Sequence, residues 1–355
     1  MKILFMAPQS LTVISGGLKR QMSETATGLS SLGHRIHFLS PEKNLFEIQP
    51  DVIHFFGAQP ELYYTLQFLQ NHEIPTVVSP VFFSRRSASS LKRLISFQNV
   101  LSRTPLLSLT ELQMRQRSCT FASHVVPNTK AEADLIHHAF GIKPSNITVI
   151  PNGADVERFT NSSPEIYESK YPWRDFILYV GDLNAERKNV LKMLYAYSTL
   201  KKNYPLLPPL VLAGTLGTTA YASQIRTYIQ QHDSIQWIGP IDHHDPLLAS
   251  LYRAARIFVL PSYFETPGIA AMEAALSGCE IVITPFGGTM EVFGENAFYI
   301  DPKSVRSIAK GIESALERTK QNHSTNSNPL IEHLIQNYGW ANVARQTEAV
   351  YKRLV

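Results

Sequence analysis

The segment PSYFETPGIAAMEAALSGC, residues 261 to 279, carries two carboxylates, Glu265 and Glu273, on either side of a Pro-Gly pair and an alanine run. Alanine is a strong helix former and proline favours the first helical position, so a helix is predicted to begin near Pro267. Glu265 then stands just before the helix N-terminus, and Glu273 lies in the second turn. The amides of Gly268, Ile269 and Ala270 have no intrahelical acceptor, and with the positive end of the helix dipole behind them they make an anion site. Gly268 removes a side chain, so a bulky ligand can approach the backbone. Carboxylates on both sides of such a helix end suit a ligand with hydroxyls on both sides of a diphosphate. A nucleotide sugar has that shape, ribose on one side and sugar on the other.

The elements that must position these groups are legible as a repeat. In the first half KILFMAP, RIHFLS, DVIHFFG, PTVVSP, HVVPNT and ITVIPNG are apolar runs of strand length, with helical patterns such as Leu18 to Leu32 and Lys130 to Phe140 between them. A polar, irregular stretch spans Asn161 to Tyr171. The repeat then resumes with FILYVGD, PLVLAGT, IQWIGP, RIFVLPSYF, EIVITP and AFYIDP. Strands alternating with helices make parallel βαβ units, so the fold class is α/β with two doubly wound parallel sheets. Ligands of such sheets bind beyond the carboxyl ends of the strands.

A chain of 355 residues is long enough for two cores. Cys119 and Cys279 stand far apart without metal or disulfide spacing, which points to a reducing compartment. The opening MKILFMAP reads as a first strand and not a signal peptide, and no run reaches the length of a membrane span.

Six motifs in this order resemble those of the retaining glycosyltransferases of family 4. They are MKILFMAP with the following GG and GLSSLGHRIHFLS, IPNGADVERF, YVGDLNAERKN, the E-x7-E of Glu265 and Glu273, the Gly287, Gly288 and Glu291 group, and YIDP. The resemblance covers nearly the whole chain. It implies the GT-B fold: two Rossmann-like domains facing each other across a cleft, the acceptor-side domain at 1–160, the donor domain at 161–336, and a C-terminal helix at 337–355 crossing back. It also implies roles. Glu273 would hold the donor ribose and Glu265 the transferred sugar; Gly268 and Ile269 would bind phosphate through their amides. Lys188, helped by Arg187, would stabilise the leaving diphosphate. Gly16 and Gly17 would close over it, and Gly239 to Ile241 would lie near the base. The implied reaction moves a hexose-type sugar from a UDP- or GDP-sugar to a glycan or lipid-linked acceptor with retention of configuration. It needs no cofactor and no metal, at the cytoplasmic face of a membrane.

Two positions depart from the family pattern. Asp182 stands where an arginine is common, and VVSPVFFSRRS has no histidine where many members carry one. Both favour a competing reading, a catalytically silent GT-B subunit that binds glycan or a partner transferase; the intact Glu265, Glu273 and Lys188 count against it. A glycosidase also uses two carboxylates, but they must straddle the scissile bond at a set separation, and nothing here favours that.

Of twelve histidines, the adjacent pairs His137-His138 and His243-His244 are expected to diverge as surface or core residues. Trp237 and Trp340 are expected to be packing residues. From 84 to 117 the chain carries Arg85, Arg86, Lys92, Arg93, Arg103, Arg115 and Arg117 against Glu111, with apolar Leu91, Leu94, Ile95, Phe97, Val100 and Leu101 at helical spacing. The stretch reads either as a contact for anionic lipid headgroups or an acidic acceptor, or as a packed helix with a solvated basic face. No nucleic-acid recognition motif accompanies the charge.

Overall fold

The computed structural model describes residues 1–12, 16–39, 45–102, 108–321 and 328–355. The chain divides into two units, residues 1–153 with 340–355, and residues 154–339.

In the first unit the strands β1 (Lys2–Met6), β2 (Arg35–Phe38), β3 (Val52–Phe56), β4 (Thr76–Ser79) and β5 (His124–Val125) form one parallel sheet in the order β2-β1-β3-β4-β5. The central strands are buried along their length, as continuous apolar runs on both faces require. The sixth predicted strand, ITVIPNG, does not form. Ile147 makes a single bridge to Val125, and the ladder stops because Pro127 beyond it has no N–H to donate. The helix Gly17–Ser31 follows β1, and the C-terminal helix Trp340–Lys352 packs against it. Trp340 belongs to this core, so its packing role holds. His54 of β3 is fully buried between the Tyr351 hydroxyl at 2.5 Å and the Ser79 hydroxyl at 2.9 Å. Burial lowers its pKa from 6.5 to about 3, so its ring is neutral at physiological pH.

The second unit holds β6 (Phe176–Val180), β7 (Leu210–Ala213), β8 (Ile235–Trp237), β9 (Ala255–Leu260), β10 (Glu280–Ile283) and β11 (Phe298–Tyr299), all six at the predicted apolar runs. Their order is β11-β10-β9-β6-β7-β8, and every pairing is parallel. The chain starts at β6 and winds first to one side and then to the other. The strand order therefore reverses between β6 and β9, the place where an open α/β sheet has its crevice. The stretch expected to be irregular, Asn161 to Tyr171, instead contains the helix Glu165–Lys170. Tyr167 is the cause: its ring is fully buried against Phe176, and its backbone N–H donates to the Ser250 hydroxyl at 2.9 Å.

Candidate functional site

Two loops meet at the reversal point, one after β6 and one after β9. The first runs from Gly181 through a single 3-10 turn, Glu186–Lys188, to Asn189. Asn189 is buried and left-handed at φ 60°, and its side-chain amide donates to the carbonyls of Pro261 at 3.0 Å and Pro302 at 2.6 Å. It pins the β6 loop to the ends of two other strands. The carbonyl of Arg187 accepts from the Tyr263 N–H at 2.8 Å, a second tie between the two loops. Together these bonds deliver Lys188 to Glu265, Nζ to Oε1 at 2.6 Å. The Arg187 guanidinium lies 3.7 Å from the same oxygen and 5.6 Å over the Phe264 ring.

Glu265 is 7% exposed. Burial pushes its carboxyl up, but the adjacent Lys188 and Arg187 charges outweigh burial and hold it below the ordinary carboxylate value. Its backbone is fixed from both sides, N–H to the Phe286 carbonyl at 3.0 Å and carbonyl to the Gly288 N–H at 2.9 Å. Gly287, at φ 98°, makes this closeness feasible: a Cβ there would stand 1.9 Å from the Glu265 carbonyl oxygen. The Gly287, Gly288 pair thus acts as a backbone clamp on Glu265.

The helix after β9 is Ile269–Leu276 and not one starting near Pro267. Gly268 precedes it at φ 92°, a left-handed conformation that ends any helical path through Pro267. The first amides of Ile269–Leu276 have no intrahelical acceptor. Space is not the reason for glycine at 268, since a Cβ would make ordinary contacts with Glu265 and Ile283.

Glu273 lies in the second turn, 2% exposed. His243 Nε2 reaches its Oε1 at 3.2 Å from the loop after β8. Sequence reasoning missed this histidine. Its ring does not diverge from its neighbour but meets His244 edge to face at 5.2 Å. The loop that carries it begins with Gly239, at φ 84°, whose carbonyl accepts from Gly214, and Ile241 packs on the core. Arg158, inside the IPNGADVERF motif, donates to the carbonyls of His243 and Asp245, and so fixes the loop's far end. No local signal pointed to it, since Arg158 and His243 stand 85 positions apart.

Asp182 is used locally. Its Oδ1 accepts from the Asn184 backbone and side-chain N–H groups at 3.0 and 2.8 Å, and Asn184 in turn receives the Gly217 N–H. The carboxylate shapes the β6 loop and joins it to the β7 loop. Trp237 is half-exposed, with its indole N–H on the Gly214 carbonyl at 2.9 Å. Among the described residues no three His, Cys, Asp or Glu side chains cluster closely enough to hold a metal ion.

Gly16 and Gly17 and the basic stretch belong to the first unit. Gly16 precedes the helix Gly17–Ser31 in extended conformation, and an added Cβ there would meet nothing within 4 Å. Arg85, Arg86, Lys92 and Arg93 are exposed at the start of the helix Ala88–Leu101, and Ser87 caps it. The apolar stripe splits: Leu91 and Ile95 are buried, while Phe97 and Val100 are 62% and 61% exposed. Arg103 lies outside the described residues. Among the described residues no helix is long and apolar enough to cross a membrane.

Two family models match side by side, Glycosyltransferase Family 4 over residues 15–158 and Glycosyl transferases group 1 over residues 168–329. A human phosphatidylinositol N-acetylglucosaminyltransferase chain is 28% identical over 214 residues, 60% of this chain and 42% of that protein. Escherichia coli O-antigen chain mannosyltransferase B is 27% identical over 195 residues, 54% of this chain and 49% of its own. Mycobacterium tuberculosis glycogen synthase is 31% identical over 229 residues, 61% and 51% respectively. The chain spans about half the length of these curated relatives. Among solved structures, the sucrose-phosphate synthase of Thermosynechococcus elongatus matches with a TM-score of 0.78 at 18% identity, over 99% of this chain and 98% of that one. Anabaena Alr3699/HepE in complex with UDP and glucose matches at 0.73 and 18%, over 99% and 100%. At those identities the structures speak for the fold, which is GT-B. With one family model over β2 to β5 of the first sheet and the other over all six strands of the second, the chain belongs to glycosyltransferase family 4.

Proposed function

We propose that the chain transfers a hexose-type sugar from a UDP- or GDP-sugar to a glycan or lipid-linked saccharide, with retention at the anomeric carbon. One observation carries this reading: a buried carboxylate, Glu265, paired with Lys188 at the reversal point of a parallel sheet, beside the N-terminus of a helix that holds Glu273. The set offers hydroxyl acceptors on both sides of a cationic, amide-lined position, as a sugar diphosphate requires.

In the reaction, Glu265 accepts hydroxyls of the sugar and Glu273 those of the ribose. The amides of Gly268 and Ile269 meet the diphosphate. The Lys188 ammonium, with Arg187 beside it, shifts from Glu265 toward the phosphate oxygens as the C1–O bond breaks. The acceptor hydroxyl attacks C1 from the face the diphosphate leaves, and its proton passes to a leaving phosphate oxygen. These cations and the helix amides meet the developing charge without a resident metal, so turnover persists in chelator.

The names of two relatives, for a phosphatidylinositol and for an O-antigen chain, support a lipid-linked or polysaccharide acceptor. The exposed Arg85, Arg86, Lys92 and Arg93 beside Phe97 and Val100 suit an anionic membrane surface, the inner face of the cytoplasmic membrane.

Calorimetric titration of the protein, in chelator, with UDP, GDP and their hexose and N-acetylhexosamine conjugates tests the reading. Selective binding lost in Glu273→Ala, with Lys188→Ala reducing turnover more than affinity, is the expected result. Binding to none of them overturns it.

A further inference from the structure

His243 lies outside the family's signature carboxylates, yet its Nε2 is 3.2 Å from Oε1 of Glu273, a carboxylate whose side chain is almost wholly buried. Nothing in the loop's local sequence demands this contact, since His243 and Glu273 are 30 positions apart. The loop is nonetheless built to make it. At its near end Gly239 takes a left-handed conformation and bonds Gly214 through its carbonyl. At its far end Arg158 grips the carbonyl of His243 itself and that of Asp245, and Asp245 caps the next helix through the Leu247 N–H at 2.9 Å. Phe159 and His244 wall the imidazole at ring distances of 6.2 and 5.2 Å. A side chain held this firmly against a buried carboxylate fixes that carboxylate's rotamer and orientation.

We infer that His243 is the positioning residue for Glu273: its ring N–H holds Oε1 so that the carboxylate meets the ribose hydroxyls of a nucleoside diphosphate in one fixed orientation. Arg158 acts one step further out by holding the loop. The inference rests on the reading of Glu273 as the ribose contact.

The discriminating probes are UDP and GDP against their 2′,3′-dideoxy counterparts, titrated in the full chain. The ratio of the two affinities isolates hydroxyl recognition from phosphate and base binding. His243→Leu is expected to lower affinity for the ribonucleotide about tenfold, the scale of one lost hydrogen bond to a charged group, and to leave the dideoxy affinity unchanged. His243→Gln places an amide donor at the reach of Nε2 and keeps the ratio, whereas His243→Asn is too short and loses it. The Gln and Asn pair, both polar on a partly exposed loop position, keeps the test valid if the leucine variant folds poorly. In a Glu273→Ala background His243→Leu adds nothing.

A His243→Asn variant with the parental ratio, or one that loses ribo and dideoxy affinity equally, overturns the inference while Glu273→Ala still collapses the ratio. Glu273→Ala with an unchanged ratio overturns the ribose reading itself.

Discussion

Replacing Lys188 with methionine separates the structural from the catalytic meaning of the Glu265 pair. Glu265 has a side chain 9% exposed, and its nearest cation is the Lys188 ammonium at 2.6 Å. Methionine keeps the stem and removes the charge. The buried carboxylate is then left to Arg187, whose guanidinium is 3.7 Å away on a half-exposed side chain. Removing one partner of a buried pair costs about 3 to 5 kcal/mol, and the remaining arginine puts this case at about 3 kcal/mol. For a unit of this size that is a fall in melting temperature of roughly 6 to 12 °C. The double variant Lys188→Met, Glu265→Gln has no orphaned charge and should recover most of the lost stability, while turnover is reduced in both. The effect has a pH signature. The folded-state pKa of Glu265 is depressed, so the pair's contribution is present above the unfolded carboxylate value of about 4.3 and is lost as pH falls through the lower folded value. The gap between parent and Lys188→Met is therefore full at pH 7 and narrows in acid. Urea unfolding at pH 7 and pH 4, followed through the transition of the second unit, reads all three quantities. A single variant as stable as the parent at pH 7, or a double variant no more stable than the single, refutes the reasoning.

Three further outcomes follow from particular contacts. Gly287→Ala puts a Cβ at 1.9 Å from the Glu265 carbonyl and forces φ 98° on alanine, so the backbone clamp must open. A loss of about 2 kcal/mol or more in thermal unfolding, with turnover abolished, is expected. Gly16→Ala, by contrast, meets nothing and sits in extended backbone, so its melting temperature should match the parent. Any fall in its turnover then reports a contact with ligand and not a folding defect. His54 gives a stability slope in the first unit: the unfolded chain takes up a proton below pH 6.5 and the folded ring does not until about pH 3, so stability is lost as pH falls through that window. From pH 7 to pH 5 the loss is about 2 kcal/mol, and it should vanish in His54→Gln measured by denaturant titration at both pH values.

What could be read from the chain beforehand was set by locality. The strands were legible because a parallel strand buried on both faces is a continuous apolar run, and FILYV or RIFVL can hardly be anything else. ITVI has the same composition and fails as a strand for a reason outside itself, the proline that ends its neighbour's ladder. The helix after β9 was legible in kind but not in start, because the positive φ of Gly268 is imposed by the turn that brings Glu265 back against Gly287. Local preference for proline at a first helical position gave way to that closure.

The same division runs through the site. Glu265, Gly268 and Glu273 lie within nine residues, so their type and spacing carried the chemistry. Asn189 was visible as a residue but not as the hub that ties three strand ends, since its partners stand 72 and 113 positions away. Asp182 looked like a missing cation, and its actual partners, the two N–H groups of Asn184, lie only two positions on. Spacing alone could have suggested that turn. The aspartate has a structural task instead: it holds the β6 loop that presents Lys188. A charge read in isolation says what a residue could do to a ligand; its hydrogen bonds say what the fold has already asked of it.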